Sequence, residues 1–422
     1  MILSNRSCSV RRSKVLRINS VNTPQRIYTS QFWMLCTSSL LFFASFNMII
    51  PKLPAYLTSL GGAEYKGLII SLFTLTAMIS RPFSGKIADK VGRKAAMLIG
   101  ISVCVVISLL YPLLTTITGF LLLRLVHGFS TGFSPTGATA YLSDIIPFNR
   151  RGEAMGILGT AGTVGMAAGL AVGPSIANDF GLHVMFYCSS AMAVISILVL
   201  FGLRETLNTR QGFSTNVLKI HKRDLFEPKV IVPCLVMLLA TYAYGAVFTV
   251  VPDLCLHLGI HNEGLPFVFL TIFSLSIRLI AGRASDKYGR RKVVIVSTFL
   301  VAVSMLVLAL ATSSVLLIVA ISLYGLAQGM TSPTLLAWAT DLSDEKHRGR
   351  GIASLYIFME LGIGIGAFIS GFIYANDSKN FFVTFLTCSL LALTAFFYLV
   401  FLKTRKPPKT THDLPDPVTE TI

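Results

Sequence analysis

The chain has 422 residues, 53% of them hydrophobic and only 13% charged, with a mean hydropathy of +0.71. A soluble protein carries about twice that share of charge, so a soluble globular fold is excluded. The net charge of +17 raises nucleic acid as a partner, and its placement excludes that too. Basic side chains gather before the first apolar run (Arg6, Arg11, Arg12, Lys14, Arg17, Arg26), after the second and eighth, in the central polar stretch and after the last (Lys403, Arg405, Lys406, Lys409).

Apolar runs of about 20 residues are long enough to cross a bilayer. They are predicted near 32–58, 66–86, 95–114, 117–143, 152–177 and 182–203, and again near 229–255, 264–284, 292–311, 314–342, 350–375 and 379–402. The expected organisation is a basic tail (1–30), a first six-helix bundle (31–203), a polar linker (204–228), a second bundle (229–402) and a proline-rich tail (403–422). Lys66 and Lys379 are the exceptions on a side otherwise poor in Lys and Arg, so both termini are expected in the cytoplasm. Anionic membrane lipid is a secondary partner for the basic charge. Short tails and loops fit a bacterial inner membrane. The first 30 residues hold no signal-peptide core, and Met34 competes with Met1 as the start. Asn5-Arg6-Ser7 and Asn376-Asp377-Ser378 match a glycosylation acceptor by chance.

Prolines punctuate corresponding helices: Pro51 and Pro54 in the first, Pro252 in the seventh, with Leu60-Gly61 and Leu258-Gly259 following at the same spacing. Proline bends a helix and frees a carbonyl, either at a wet cavity or as a packing kink. Lys52 and Asp253 lie near outer helix ends and read as gate or interface charges. Cys36, Cys104, Cys188, Cys234, Cys255 and Cys388 fall inside predicted helices without ligand spacing and read as small buried hydrophobes.

One pattern occurs twice, 197 residues apart: RPFSGKIADKVGRK from Arg81 and RLIAGRASDKYGRR from Arg278. The offset also carries Asp144 onto Asp341 and Arg151-Gly152 onto Arg348-Gly349. Two similar halves in a polytopic chain are the plan of a transporter that rocks one half against the other. In this pattern Gly85 and Gly282 are expected to admit a neighbouring helix closely. Asp89 and Asp286 sit where they can face a helix N-terminus, and Arg93 and Arg290 can reach Asp144 and Asp341.

These residues carry a family resemblance. The pattern G-x-x-x-D-x-x-G-R, here Gly85, Asp89, Gly92 and Arg93, resembles the signature loop of the major facilitator superfamily. Gly282, Asp286, Gly289 and Arg290 form its second copy, and the resemblance runs from about residue 31 to 403. It implies an all-α membrane protein of the major facilitator fold, with twelve transmembrane helices in two pseudo-symmetric six-helix bundles. It also implies a conformational latch at Asp89, Arg93 and Asp144, with Asp341 in the second copy. Arg124 and Gly128 resemble the family's R-x-x-x-G motif in helix four, where the arginine is implicated in proton transfer. An arginine that deep in a bilayer marks a functional site by default; a structural ion pair or a snorkelling side chain is the other reading. Gly165, Gly169, Gly173 and Pro174 resemble the antiporter motif of helix five, which departs here at Ala177-Asn178; generic packing is the alternative.

Glu360 lies near the bilayer midplane, where a carboxylate must be protonated or paired. It is either a proton carrier, a counter-charge for a cationic substrate or half of a structural pair, with Arg124 as candidate partner. His127, one turn from Arg124, can shuttle protons or simply pack. Asn47, Tyr242, Tyr244, Tyr324, Gln328 and Trp338 are candidates to line a substrate cavity. The chain has no phosphate-binding G-x-x-x-x-G-K-[ST] loop, and Gly362, Gly364 and Gly366 lie inside an apolar helix without a preceding strand, so ATP and dinucleotides are not expected. No cofactor, metal or enzymatic activity is expected, and a monomer is. The reading is a secondary transporter exchanging protons for a small organic compound. Proton-coupled uptake of a metabolite and a non-transporting receptor are the alternatives.

Overall fold

The structure, a computed structural model, describes residues 28–147, 150–207, 226–343 and 348–402. Most of the 1–30 tail, most of the 204–228 linker and the 403–422 tail lie outside the described residues. So do Met1, the acceptor pattern at Asn5 and the basic clusters flanking the bundles.

The first span is broken. Helix α1 (Ser30–Ile49) passes through a 3-10 turn at Ile50–Lys52 into α2 (Leu53–Ser59). Pro51 and Pro54 stand at this break, where each removes a backbone donor. The first half continues with α3 (Lys66–Lys90), α4 (Arg93–Leu110), α5 (Ile117–Ile145), α6 (Arg151–Phe180) and α7 (Leu182–Phe201). The second half holds α8 (Ile231–His257), α9 (Leu265–Tyr288), α10 (Arg290–Ala309), α11 (Ser314–Leu342), α12 (Arg348–Tyr374) and α13 (Phe381–Phe401). Pro252 does not break α8, which stays continuous around it. Ten of these elements are long and apolar enough to cross a membrane, and α9, bent by 44°, makes an eleventh if taken as one span. Helix α5, 29 residues long, is not among them, because its apolar character is diluted by Arg124, His127 and a run of Gly, Ser and Thr. It can carry them because α3 and α4 cover it.

The duplication extends to single atoms. Thr116 caps α5 by accepting from the N–H of Gly119, and Ser313, its equivalent, caps α11 by accepting from Leu316. A capping oxygen satisfies an orphan N–H of the first turn. Gly92 and Gly289 join α3 to α4 and α9 to α10 with φ of +155° and +93°, a backbone region that L side chains rarely enter. A Cβ at Gly128 would lie 2.0 Å from the carbonyl oxygen of Phe73, and one at Gly325 would lie 2.4 Å from that of Leu270. In both halves a glycine thus lets the fourth span press onto the second, backbone to backbone.

The halves meet along two seams, α3 against α12 and α6 against α9. Their contacts gather toward the face opposite the termini, called here the far face. There Lys52 Nζ meets Glu263 Oε1 at 2.7 Å and Lys66 Nζ meets Asp253 Oδ2 at 2.5 Å. Asn178 donates to the carbonyl of His261, and Asn376 to that of Ala63. The α3–α12 seam is tight because Gly67 and Gly371 face each other, where a Cβ on Gly371 would lie 2.5 Å from the Gly67 Cα.

Gly85 and Gly282 correct an expectation. A Cβ at either would meet nothing within 4 Å, so neither admits a closely packed helix in this conformation. Both lie toward the terminal face, beyond the part of the seams that is closed.

Candidate functional site

The centre of the site is an ion pair between the halves. Arg81 Nη2 of α3 meets Glu360 Oε1 of α12 at 2.5 Å. Arg81 lies about 22 Å from one end of α3 and about 14 Å from the other at 1.5 Å per residue, and Glu360 is similarly central in α12. Glu360 is only 6% exposed. Burying a charge is costly unless it is paired, and the pair meets that demand only in part: Arg81 Nε is buried without a hydrogen-bond partner. The Arg81 guanidinium also lies 4.9 Å from the centre of the Tyr356 ring, a cation–π contact that adds to its anchorage.

Arg124, the candidate partner of Glu360, does not meet it; Arg81 does. Arg124 is fully buried inside the first half. Its Nε donates to the Ile69 carbonyl at 2.9 Å, its Nη1 approaches the Tyr111 hydroxyl at 3.4 Å, and its guanidinium stacks 4.6 Å from the Phe73 ring. His127 belongs to the same cluster, with Nδ1 3.3 Å from the Tyr111 hydroxyl and Nε2 3.4 Å from Cys104 Sγ. The reason is directional. Side chains at Arg124 and His127 point from α5 into its own bundle, whereas Arg81 lies on the seam facing α12.

A cavity of about 230 Å³ lies between α6 of one half and α8, α9, α11 and α12 of the other, with Met359, the chain neighbour of Glu360, in its wall. Of the six residues expected to line it, Tyr244 and Gln328 do. Tyr324 is buried behind Gln328, whose Nε2 donates to its hydroxyl at 2.6 Å. Asn47 is buried and donates to the Phe43 carbonyl, Tyr242 packs in the central core, and Trp338 packs against a separate cluster around Val230 and Leu399. These four do not line the cavity. The wall is completed by Thr163, Met166, Ser274, Arg278, Met359 and others. A larger groove of about 810 Å³ lies at the start of α1, around Tyr28, Trp33 and Met34, away from every charged pair described here.

At the terminal face the repeated loops form matching triads. Arg93 pairs with Asp89 and, at 3.1 Å, with Asp144; Arg290 pairs with Asp286 and, at 2.9 Å, with Asp341. Each triad lies within its own half. Asp89 and Asp286 do not occupy a helix N-terminus, and their side chains are each 69% exposed. The carboxylate at the N-terminus of α4 is that of Glu205, which accepts from the backbone N–H of Arg93 at 3.0 Å and of Lys94 at 3.1 Å. This placement complements the helix dipole.

The helix-five glycines pack on α1. Cβ atoms at Gly165, Gly169 and Gly173 would lie 2.1, 2.3 and 1.9 Å from the carbonyl oxygens of Leu40, Ala44 and Met48. Pro174 follows within the same helix. The second half repeats the arrangement, with Gly362 and Gly366 against Leu238 and Tyr242.

Sequence reasoning missed Arg81, Arg278, Glu263 and Glu205 as functional or interface residues. The signal for the first two was present, since each opens the repeated pattern from within an apolar helix, where an intramembrane arginine is a site by default.

The model of the family described as Major Facilitator Superfamily matches residues 35–277 and 256–420. The chain is 27% identical over 369 residues to "Multidrug resistance protein MdtG" of Enterobacter lignolyticus (strain SCF1), covering 83% of this chain and 86% of that protein. It is 28% identical over 234 residues to "Multidrug resistance protein 2" of Bacillus subtilis (strain 168), covering 53% of this chain and 58% of the relative. Among solved structures, that of a D-xylose-proton symporter superposes with a TM-score of 0.73 at 16% identity, covering 88% of this chain and 96% of the other. At that identity the likeness shows the fold alone.

Proposed function

The chain belongs to the Major Facilitator Superfamily and is a multi-pass membrane transporter of small molecules; on that premise we propose that it exports a small, partly apolar organic compound in exchange for protons. The observation that carries this reading is the Arg81–Glu360 pair, 2.5 Å long and spanning the two halves at mid-membrane. The names of the multidrug relatives support the direction of transport.

In the arrangement seen, an ionised Glu360 holds Arg81 and with it the α3–α12 seam. Protonation removes the attraction, leaves a lone guanidinium in a poor solvent for charge, and favours a state in which the seam parts toward the far face. Glu360 is the proton carrier in this scheme. Arg81 takes the biasing role first expected of Arg124, which with His127 maintains the inner packing of the first half. The Asp89–Arg93–Asp144 and Asp286–Arg290–Asp341 triads act at the terminal face as latch elements, rearranging when the halves exchange contacts. The protein acts as a monomer in a bacterial inner membrane, with both termini in the cytoplasm, as the Lys and Arg asymmetry favours.

A second reading, proton-coupled uptake, draws on one observation. The glycine stripe of α6 has a counterpart in α12, so it reads as packing common to both halves rather than as a mark of antiport. Everted vesicles energised acid-inside, with a fluorescent pH reporter, separate the two. Compound-dependent proton release in wild type, lost in Glu360→Gln, supports exchange through Glu360. No release with any of a panel of cationic, neutral and anionic compounds, alongside proton-driven uptake in right-side-out vesicles, overturns export.

A further inference from the structure

Arg81 and Arg278 hold equivalent places in the two halves, 197 residues apart. Arg81 crosses to Glu360. The same offset carries Glu360 onto Thr163, in a register that also brings Gly362 onto Gly165 and Gly366 onto Gly169. Both glycine pairs perform the same packing in their own halves, so the correspondence is structural as well as sequential. Arg278 and Thr163 line the same cavity from opposite halves. The pseudo-symmetric copy of the central ion pair therefore has its arginine but a neutral hydroxyl in place of its carboxylate.

Among the described residues Arg278 forms no ion pair, and its Nε is buried without a hydrogen-bond partner. Arg278 is the one charged side chain among the residues that line the cavity. A guanidinium presents a planar fork of donors matched to carboxylate and similar oxyanions. The remaining wall offers Met166, Leu270, Met359 and Ile363 to an apolar body, and methionine adapts to varied shapes.

We propose that Arg278 is the anchor for an anionic group on the transported compound, which takes at Arg278 the place that Glu360 takes at Arg81. The substrate class is a small organic anion, a carboxylate or comparable oxyanion on an apolar body. Its binding completes a second charged contact between the halves, from Arg278 in α9 toward Thr163 in α6, and so couples loading to the conformation. This deepens the transporter reading above and rests on it.

The test uses the full-length protein in nanodiscs and matched pairs of arylalkyl carboxylic acids and their primary amides, such as 4-phenylbutyric acid and 4-phenylbutanamide. Acids are expected to bind wild type more tightly than their amides, by on the order of 10- to 100-fold for a charge-assisted contact. Arg278→Gln removes that preference and Arg278→Lys retains part of it. Thr163→Glu supplies the missing carboxylate from within, and is expected to abolish the preference for acids while leaving amide binding in place; it carries the test alone if Arg278→Gln does not fold. Acids that bind no better than amides across the panel, or a preference that survives both Arg278→Gln and Thr163→Glu, overturn the proposal. An Arg278-dependent preference without compound-dependent proton release in the vesicle assay sustains the anchor and overturns proton exchange. Proton release driven equally by acids and amides, and unaffected by Arg278→Gln, sustains exchange and overturns the anchor.

Discussion

Lys66 of α3 closes on Asp253 of α8 at 2.5 Å, joining the two halves at the far face. Both side chains are largely withdrawn from solvent, and Lys52–Glu263 repeats the arrangement nearby, with Glu263 almost fully buried. Polar contacts of this kind can be made in one access state and absent in the other, which makes them a means of setting the balance between states.

Asp253→Asn leaves Lys66 without its counter-charge, and removing one partner of a buried pair costs about 3–5 kcal/mol. The expected outcome is a shift away from the far-face-closed state. Cysteines placed at Asn178 and His261, which meet across the halves at the same face, report it through oxidative cross-linking. Yield should fall several-fold in Asp253→Asn and recover in the double variant Lys66→Met/Asp253→Leu. Unchanged yield would show that the pair does not hold the seam.

Arg81→Gln strands Glu360 at mid-membrane, whereas Arg81→Leu/Glu360→Leu removes both charges. Thermal stability in detergent should fall by the equivalent of about 3 kcal/mol in the single variant and return close to wild type in the double. The double variant is nonetheless expected to lose proton-coupled transport, separating stability from coupling.

Arg124→Lys keeps the charge but loses the planar group that donates to Ile69 and stacks on Phe73. A loss of about 2 kcal/mol is expected for the broken charged hydrogen bond and packing. The pH profile of transport should stay where it is. A displaced profile would return Arg124 to the proton path.

Gly169→Val and Gly366→Val are both expected to unfold their bundles, because even a Cβ would lie 2.3 Å and 2.1 Å from a carbonyl oxygen of the facing helix. Gly85→Val has open space around it, so melting in this conformation should hold steady. If the latch loops close in the alternate state, transport by Gly85→Val falls while stability does not.

Glu205→Gln removes the charge that caps α4 at Arg93 and Lys94. Loss of a charged N-terminal cap costs about 1 kcal/mol, read as a lower melting temperature without altered substrate preference.

Much of this molecule was legible from one sequence because bilayer physics leaves so few choices. A run such as Ser314–Leu342 must be helical to satisfy its own backbone, and the duplicated pattern at Arg81 and Arg278 by itself implies two matching halves. The Asp89–Arg93 and Asp286–Arg290 contacts, four residues apart, and the close-packed stripe at Gly165, Gly169 and Gly173 follow from short-range spacing along the chain. Which arginine meets Glu360 does not. Arg81 and Arg124 are both intramembrane cations, and 279 residues separate Arg81 from Glu360; only the rotation of α3 and α5 about their axes decides which of them faces the other half. The same holds for the cavity, where Tyr244 and Gln328 turn inward and Asn47 and Trp338 do not, and for Gly85, whose neighbours depend on how far the halves stand apart. Composition and periodicity determined the class, the spans and the symmetry, because those arise from local hydrogen bonding and transfer energy. The tertiary structure alone decided the partners, because packing between helices sets which few side chains share the space at the centre.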